Sequence, residues 1–398
     1  MADGEAALEL ARGSLDWLLT SARPADADPD LYSGAAGIVL ALLEGQHAFG
    51  DEAYAEAAVR YARTIAAAVD EVDQYGLYFG LSGMAFALHV VGDRLGESWA
   101  TAAARQALDR VRSSFDGERW GEPFELLGGN AGIALAALSM GDADLAVLAV
   151  EPYLRRAEAT PHGVTWEHRR GARSRLHHIS HGALGIAYAL AAAGRATGRT
   201  DLVATALAGV AEVVSRDEAG PDGFLVPHSD PQHRPEAIER YSYGWCHGPT
   251  GDAQVFRLLA AVTGDPAWPA LTDRCWHTVT HSGLPGRLRP GFWDNNGRCC
   301  GTAGVLALAA DRCAEGRSDL SFAGVLVDDL RARATVDADG VRWSNHEHRV
   351  TPSDLEPQAG WAMGNAGIAR ELLRYARIAA GAGTRYYVDW PDHPPTAG

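Results

Sequence analysis

"SGAAGIVLALL", residues 33–43, decides the fold. A glycine, two small residues and a second glycine lead directly into an apolar run. One such copy says little, but the pattern returns. It reads "FGLSGMAFAL" at 79–88, "GGNAGIALAAL" at 128–138, "SHGALGIAYAL" at 180–190, "WCHGPTGDAQVF" at 245–256, "CCGTAGVLALAA" at 299–310 and "MGNAGIARELL" at 363–373. The steps between first glycines are 46, 49, 53, 66, 53 and 63 residues. Self-similarity at this period along the whole chain marks a repeat architecture.

Between the copies lie segments with apolar residues at helical spacing, such as "EAYAEAAVRYARTIAAAV" at 52–69 and "DLVATALAGVAEVVSR" at 201–216. Nearly all-apolar helices belong inside and amphipathic ones outside. An open solenoid needs atypical polar repeats at its ends, yet the first and last copies are as regular as the others. The pattern therefore predicts an all-α fold, an α/α toroid of seven inner and seven outer helices. The glycines are expected to let inner helices approach closely and to leave backbone N–H groups open at the helix N-termini. All seven inner N-termini would then face one end of the barrel.

Composition narrows the function. The chain has 398 residues and a net charge of −16. All 35 basic residues are arginines. An acidic surface argues against nucleic acid as a partner. The N-terminus lacks the basic-then-apolar pattern of a signal peptide, and no apolar run approaches the roughly 20 residues of a membrane span. Five cysteines are too few for a disulfide framework. These features predict a cytoplasmic protein with reduced thiols and no membrane span.

The residues just before each GxxG are not equivalent. Ser33, Phe79 and Met363 are chemically quiet. Glu125 lies four residues before the third copy, His181 directly before the fourth, Cys246 and His247 before the fifth, and Cys299 and Cys300 before the sixth. Titratable groups and thiols thus gather on four successive repeats. Cysteine is often a small buried hydrophobe, and that reading suits Cys275 and Cys313. A strained disulfide between neighbours is a second reading for Cys299 and Cys300. Three converging thiols with histidines close by also suit one Zn²⁺, which takes Cys and His ligands and keeps one position open at catalytic sites. His181 reads as a catalytic group and His247 as a proton donor or supporting group. His177 and His178 read as loop structure, as does the "HEH" at 346–348.

The sequence resembles the LanC-like family, the lanthionine synthetase C cyclases. The resemblance covers essentially the whole chain, 1–398, as a single domain. It rests on the seven GxxG copies and on "SHGALG", "GWCHGPTG" and "CCGTAG" in that order. It implies an α/α toroid and a zinc ion held by Cys246, Cys299 and Cys300. Three departures stand out. The family's usual Cys-His-Gly is Cys-Cys-Gly here, as in a subset of members. Its catalytic aspartate is replaced by Glu125. Well-studied bacterial members carry an arginine and a tyrosine where this chain has Ser242 and His247; Arg240 and Tyr243 lie nearby.

The implied activity is a zinc-activated Michaelis-type addition within a dehydrated precursor peptide. A cysteine thiol adds to dehydroalanine or dehydrobutyrine and closes a lanthionine or methyllanthionine ring. The roles expected are general acid for His181, orientation of that acid for Glu125 and support of the enolate oxygen for His247. The seven repeats use the whole chain, so dehydration is expected from separate dehydratase or kinase and lyase proteins. Two alternatives keep the family. One adds glutathione or another small thiol to dehydroamino acids, and the other is a non-catalytic peptide-binding scaffold.

Overall fold

Seven helices start at a GxxG glycine, and seven others lie against them. The computed structural model describes residues 2–21, 23–347 and 351–394. The inner helices are α2 (Ala35–Phe49), α4 (Leu81–Leu95), α6 (Asn130–Ser139), α8 (Ala183–Thr197), α10 (Pro249–Thr263), α12 (Thr302–Ala314) and α14 (Asn365–Ala379). The outer helices are α1 (Ala2–Ser21), α3 (Glu52–Ala68), α5 (Ser98–Ser113), α7 (Ala143–Arg156), α9 (Thr200–Val214), α11 (Ala267–His281) and α13 (Ser321–Arg333). Each inner helix packs on the outer helix that follows it, except α14, which packs on α1. The inner helices also touch in sequence from α2 to α14, and α14 touches α2. The ring is closed, an α/α toroid. Among the described residues the strands form only three two-stranded antiparallel ribbons, Glu158–Ala159 with Val164–Thr165, Arg175–Leu176 with Ser229–Asp230 and Thr335–Asp337 with Gly340–Arg342.

The second glycine of each repeat explains the closeness. A β-carbon on Gly185 would lie 2.0 Å from the Ile179 carbonyl oxygen and 3.1 Å from Leu126 Cβ of the preceding repeat. On Gly37 it would lie 2.7 Å from the Leu31 oxygen and 2.8 Å from Trp361 Cβ, a contact between the first repeat and the last. The first glycine of each repeat has an extended backbone that any residue adopts, so crowding alone selects it. On Gly34 a β-carbon would lie 1.9 Å from the Asp28 carbonyl oxygen.

That crowding corrects one expectation. In five of the seven inner helices an N-terminal N–H group is not open. Ala35 donates to Asp28 O, Leu81 to Gln74 O, Leu184 to His177 O, Thr302 to Asn295 O and Asn365 to Gln358 O. In these five the loop before the helix folds back to cap it, as buried backbone donors require.

The residues two before each first glycine are joined in a second ring. Tyr32 N donates to Tyr78 O at 3.0 Å, Tyr78 N to Leu127 O at 2.9 Å, and Ser180 N to Cys246 O at 3.3 Å. Cys246 N donates to Cys299 O at 3.1 Å, Cys299 N to Ala362 O and Ala362 N to Tyr32 O, both at 2.8 Å. One link differs. Leu127 N turns to the Glu125 carboxylate at 2.8 Å in place of the fourth repeat.

Not every inner helix is nearly all-apolar, as the pattern suggested. α14 buries Arg370, Glu371 and Arg374, and α12 buries Asp311. Buried charges persist where they are paired. Asp311 meets Arg374 at 2.7 Å, Arg257 at 2.9 Å and His393 at 3.0 Å. Burial pushes its carboxyl up, but Arg257 and Arg374, with His393 hydrogen-bonded beside them, hold it well below the usual carboxylate range. The C-terminal segment supplies His393 and also Trp390, which stacks on Trp361 at 4.9 Å. Trp361 meets Trp245 edge-on at 5.6 Å, so an aromatic column fills the barrel beneath Cys246.

Gly185→Ala should destabilise the fold by about 2 kcal/mol or more, because the new methyl meets backbone and a packed side chain. Gly324→Ala, in α13 with only the Tyr375 hydroxyl 3.6 Å from the new carbon, should be neutral or stabilise by about 0.5–1 kcal/mol. Denaturant unfolding of the two variants checks the contrast.

Candidate metal centre and active site

Cys246 and Cys299 occupy the same register, two residues before their glycines, on adjacent repeats. Cys300 occupies the next position. The ladder of backbone bonds just described brings them together. Cys246 Sγ lies 3.1 Å from Cys300 Sγ, and Cys300 Sγ lies 3.4 Å from Cys299 Sγ. All three sulfurs fall within 4.8 Å of one another. A disulfide bond measures about 2.05 Å, so these are thiols in contact. Tetrahedral zinc at Zn–S distances of about 2.3 Å places its sulfurs about 3.8 Å apart, close to the spacing observed. The donor set therefore fits a single Zn²⁺ with one position left for a substrate.

Electrostatics point the same way. Hydrogen bonds from Cys246 and Cys300, with a further one from the Tyr32 hydroxyl at 3.5 Å, hold the Cys299 thiol well below its usual pKa despite burial. Cys246, which donates to Cys299, is held well above. One buried anion resists a second beside it unless a cation joins the cluster.

A carboxylate–histidine pair comes from the two repeats that precede the sulfurs. Glu125 is buried, and its carboxylate accepts from Leu127 N at 2.8 Å and Gly128 N at 2.9 Å. Its Oε2 lies 3.0 Å from His181 Nδ1. A carboxylate only accepts, so that ring nitrogen carries the hydrogen. Burial works against a charge on His181, but the Glu125 charge and hydrogen bond, helped by Cys299, hold its pKa above the ordinary value. His247 stacks on His181 with ring centroids 5.5 Å apart. Its surroundings act in the opposite sense: burial, then the nearby His228, His181 and His178, push its pKa well below normal. At neutral pH His181 is the histidine suited to hold a proton and His247 stays neutral.

Sequence reading missed three residues. Tyr32 shares the register of Cys246 and Cys299, which inspection of Ser33 alone overlooked. His228 packs on His247 at 4.2 Å and is held neutral chiefly by burial, its pKa pushed down to about 3. His168 is likewise lowered, to about 4. His228 sits on the loop between α9 and α10, outside any GxxG. Its one signal is the step of 66 residues there, the longest of the six.

Other candidates serve the frame or border the cleft. His177 Nδ1 bonds the Pro227 carbonyl at 2.7 Å, and His178 pairs with buried Asp252 at 2.9 Å. Cys275 is buried in α11, while Cys313 is half-buried and donates to the Asp319 carbonyl. Arg240 is exposed and pairs with Glu218 at 2.6 Å, at the rim of the cleft that Cys246 and Cys300 also border. Tyr243 lines the cleft above Cys246, and its ring meets Phe292 at 5.9 Å. His346 bonds Asp354 at 2.9 Å; His348 lies outside the described residues.

A helical toroid carrying a three-sulfur cluster beside a carboxylate–histidine pair defines the class of protein. The family model described as "Lanthionine synthetase C-like protein" matches residues 25–234 and 233–327. The chain belongs to this family. A search of curated proteins finds no significant match. Among solved structures, nisin cyclase aligns with a TM-score of 0.65 at 16% identity, covering 91% of each chain. An unsaturated glucuronyl hydrolase specific for heparin aligns at 0.52 and 10% identity, covering 96% of this chain and 98% of the other. A second such hydrolase, from Bacillus sp. GL1, aligns at 0.51 and 16% identity over the same shares. At these identities the likeness speaks for the fold alone.

Glu125→Gln removes the charge that favours protonated His181. The His181 pKa should fall, and the alkaline limb of any activity that needs this proton should move to lower pH. Titration of the His181 ring by NMR in both proteins checks the direction; an unmoved pKa would refute the pairing.

Proposed function

We propose that the protein is a stand-alone, zinc-dependent cyclase that forms lanthionine or methyllanthionine rings in a dehydrated precursor peptide. The observation that carries this reading is the three-sulfur cluster within one ring of loops that also holds the Glu125–His181 pair. Cys246, Cys299 and Cys300 would hold the ion. When bound, zinc supplies the Lewis acidity that deprotonates a thiol at neutral pH, where a free thiol is mostly protonated.

The remaining chemistry belongs to the chain. The peptide sulfur forms a bond to the β-carbon of the dehydro residue. The alkene electron pair moves toward the α-carbon and its carbonyl oxygen. His181 delivers a proton to the α-carbon, held in position by Glu125. Neutral His247 offers a hydrogen bond to the carbonyl oxygen as charge develops there. The thiol proton replaces the one His181 gave, so the product has the mass of the substrate. We further propose that residues 1–398 act as one toroid domain in the cytoplasm, on peptides dehydrated by separate proteins. Among the described residues no helix is long and apolar enough to cross a membrane.

Incubation with a dehydrated cysteine peptide should leave its mass unchanged while blocking its thiols to alkylation. Mass gain in the presence of glutathione would instead indicate conjugation to a small thiol. Cys246→Ala should lose zinc by elemental analysis, and undiminished zinc would overturn the ligand assignment. Three thiolates leave a formal charge one unit more negative than two thiolates and an imidazole. Greater sulfur donation from Cys246, Cys299 and Cys300 would make a bound ion a weaker Lewis acid and leave a thiolate beside it more nucleophilic. Cys300→His should therefore retain zinc and cyclise more slowly; an undiminished rate would refute the electronic argument.

A further inference from the structure

Two cavities open on the site and share a wall. The larger, about 570 Å³, is bordered by Cys246, Cys300, Ser242 and Phe292. The smaller, about 390 Å³, is bordered by Glu125, His181, His168, His233, Leu176 and Phe79. His228, Ile238 and His247 border both. The wall is fastened. Ile238 closes a turn, its N–H donating to Arg234 O at 2.9 Å while Gln232 Nε2 donates to its carbonyl at 2.9 Å. His228 N is tied to Arg240 O at 2.8 Å.

Cys246 and Cys300, two of the sulfurs that would hold the ion, border one cavity, and the Glu125–His181 pair borders the other. Thioether formation needs both. The new C–S bond grows from the sulfur side, while the proton reaches the adjacent carbon from His181. A peptide confined to one cavity would meet only half of this machinery. The linings differ accordingly. The smaller pocket carries imidazoles that donate and accept hydrogen bonds, as an amide requires, together with apolar Phe79, Leu176 and Ile238 to contact an alkene.

Resting on the cyclase reading above, we propose that the cavities are separate subsites. The larger cleft takes the cysteine-bearing segment of the substrate. The smaller pocket takes the dehydroamino acid with its flanking amides. Ile238 and His228 form the ridge over which the peptide folds, and His233 and Leu176 select the acceptor residue.

Two small probes separate the subsites on the zinc-loaded full chain: N-acetylcysteine methylamide and N-acetyl-dehydroalanine methylamide. Ligand-observed NMR measures binding of each, and mass spectrometry follows their coupling. In the wild type the probes should bind without competing. His233→Trp, which fills the smaller pocket, should weaken the dehydroalanine probe about tenfold, or about 1.4 kcal/mol, and leave the thiol probe unchanged. Ser242→Trp should do the reverse. His233→Phe offers a smaller filling if the tryptophan variant unfolds, and unchanged zinc content and unfolding midpoint establish that each variant is intact. Mutual competition, or equal weakening of both probes by either variant, overturns the two-subsite proposal. Independent binding without any thioether product supports the subsites and overturns the cyclase reading alone.

Discussion

Each repeat hangs on one close approach: the loop carbonyl six residues back lies where the second glycine would carry a β-carbon. Gly83 against Leu77 O, Gly132 against Leu126 O and Gly251 against Trp245 O repeat the contact that Gly185 makes with Ile179 O. Glycine in a helix costs about 0.5–1 kcal/mol relative to alanine, and the closed packing of seven inner helices offsets that cost. The contact also fixes register. Once the carbonyl is seated, the residues one and two before the first glycine must emerge at the mouth of the barrel. Their geometry is common to all repeats, and their chemistry differs with the repeat. Cysteines separated by 53 residues therefore meet without any local motif joining them.

The exception in the backbone ring falls at the acid pair. Leu127 N would continue the ring by reaching the fourth repeat, but it is taken by Glu125. The glutamate is one methylene longer than the family's aspartate. That length lets the carboxylate turn back onto two N–H groups of its own loop and still reach His181. A buried carboxylate with three donors is stable where an unpartnered one is not. The lost backbone link is thus exchanged for charge-assisted bonds, and the smaller cavity opens between the same two repeats. A break that would only weaken another repeat here creates room beside the acid.

The glycine spacing and the two helix types made most of this architecture legible in the sequence. The closure of α1 on α14 followed from the absence of polar end repeats. What stayed hidden involves segments without periodicity. α14 reads as a mixed helix because its arginines and glutamate pair with distant groups, such as Arg374 with Asp311 and Arg298 with Glu371 at 2.9 Å. The capping of inner helices depends on loop carbonyls, which no side-chain pattern reports. Tyr32 carries the right register but a residue type that does not announce itself. His228 and Ile238 come from an insertion, and only its length was visible.

The distribution of protons follows from these placements. Histidines crowd the mouth, and a proton shared among them would serve no single role. Burial keeps His168, His228 and His247 neutral, each further discouraged by neighbouring imidazoles. His181 alone among these four touches a carboxylate, and it also feels the charge of Cys299. A more negative sulfur cluster therefore also favours the proton on His181. Cys299 and Glu125 favour the same proton on His181. His247, standing where relatives carry a tyrosine, remains an uncharged partner and does not compete for that proton. One histidine is left charged beside a cluster of sulfurs, the division of labour that the proposed addition and protonation require.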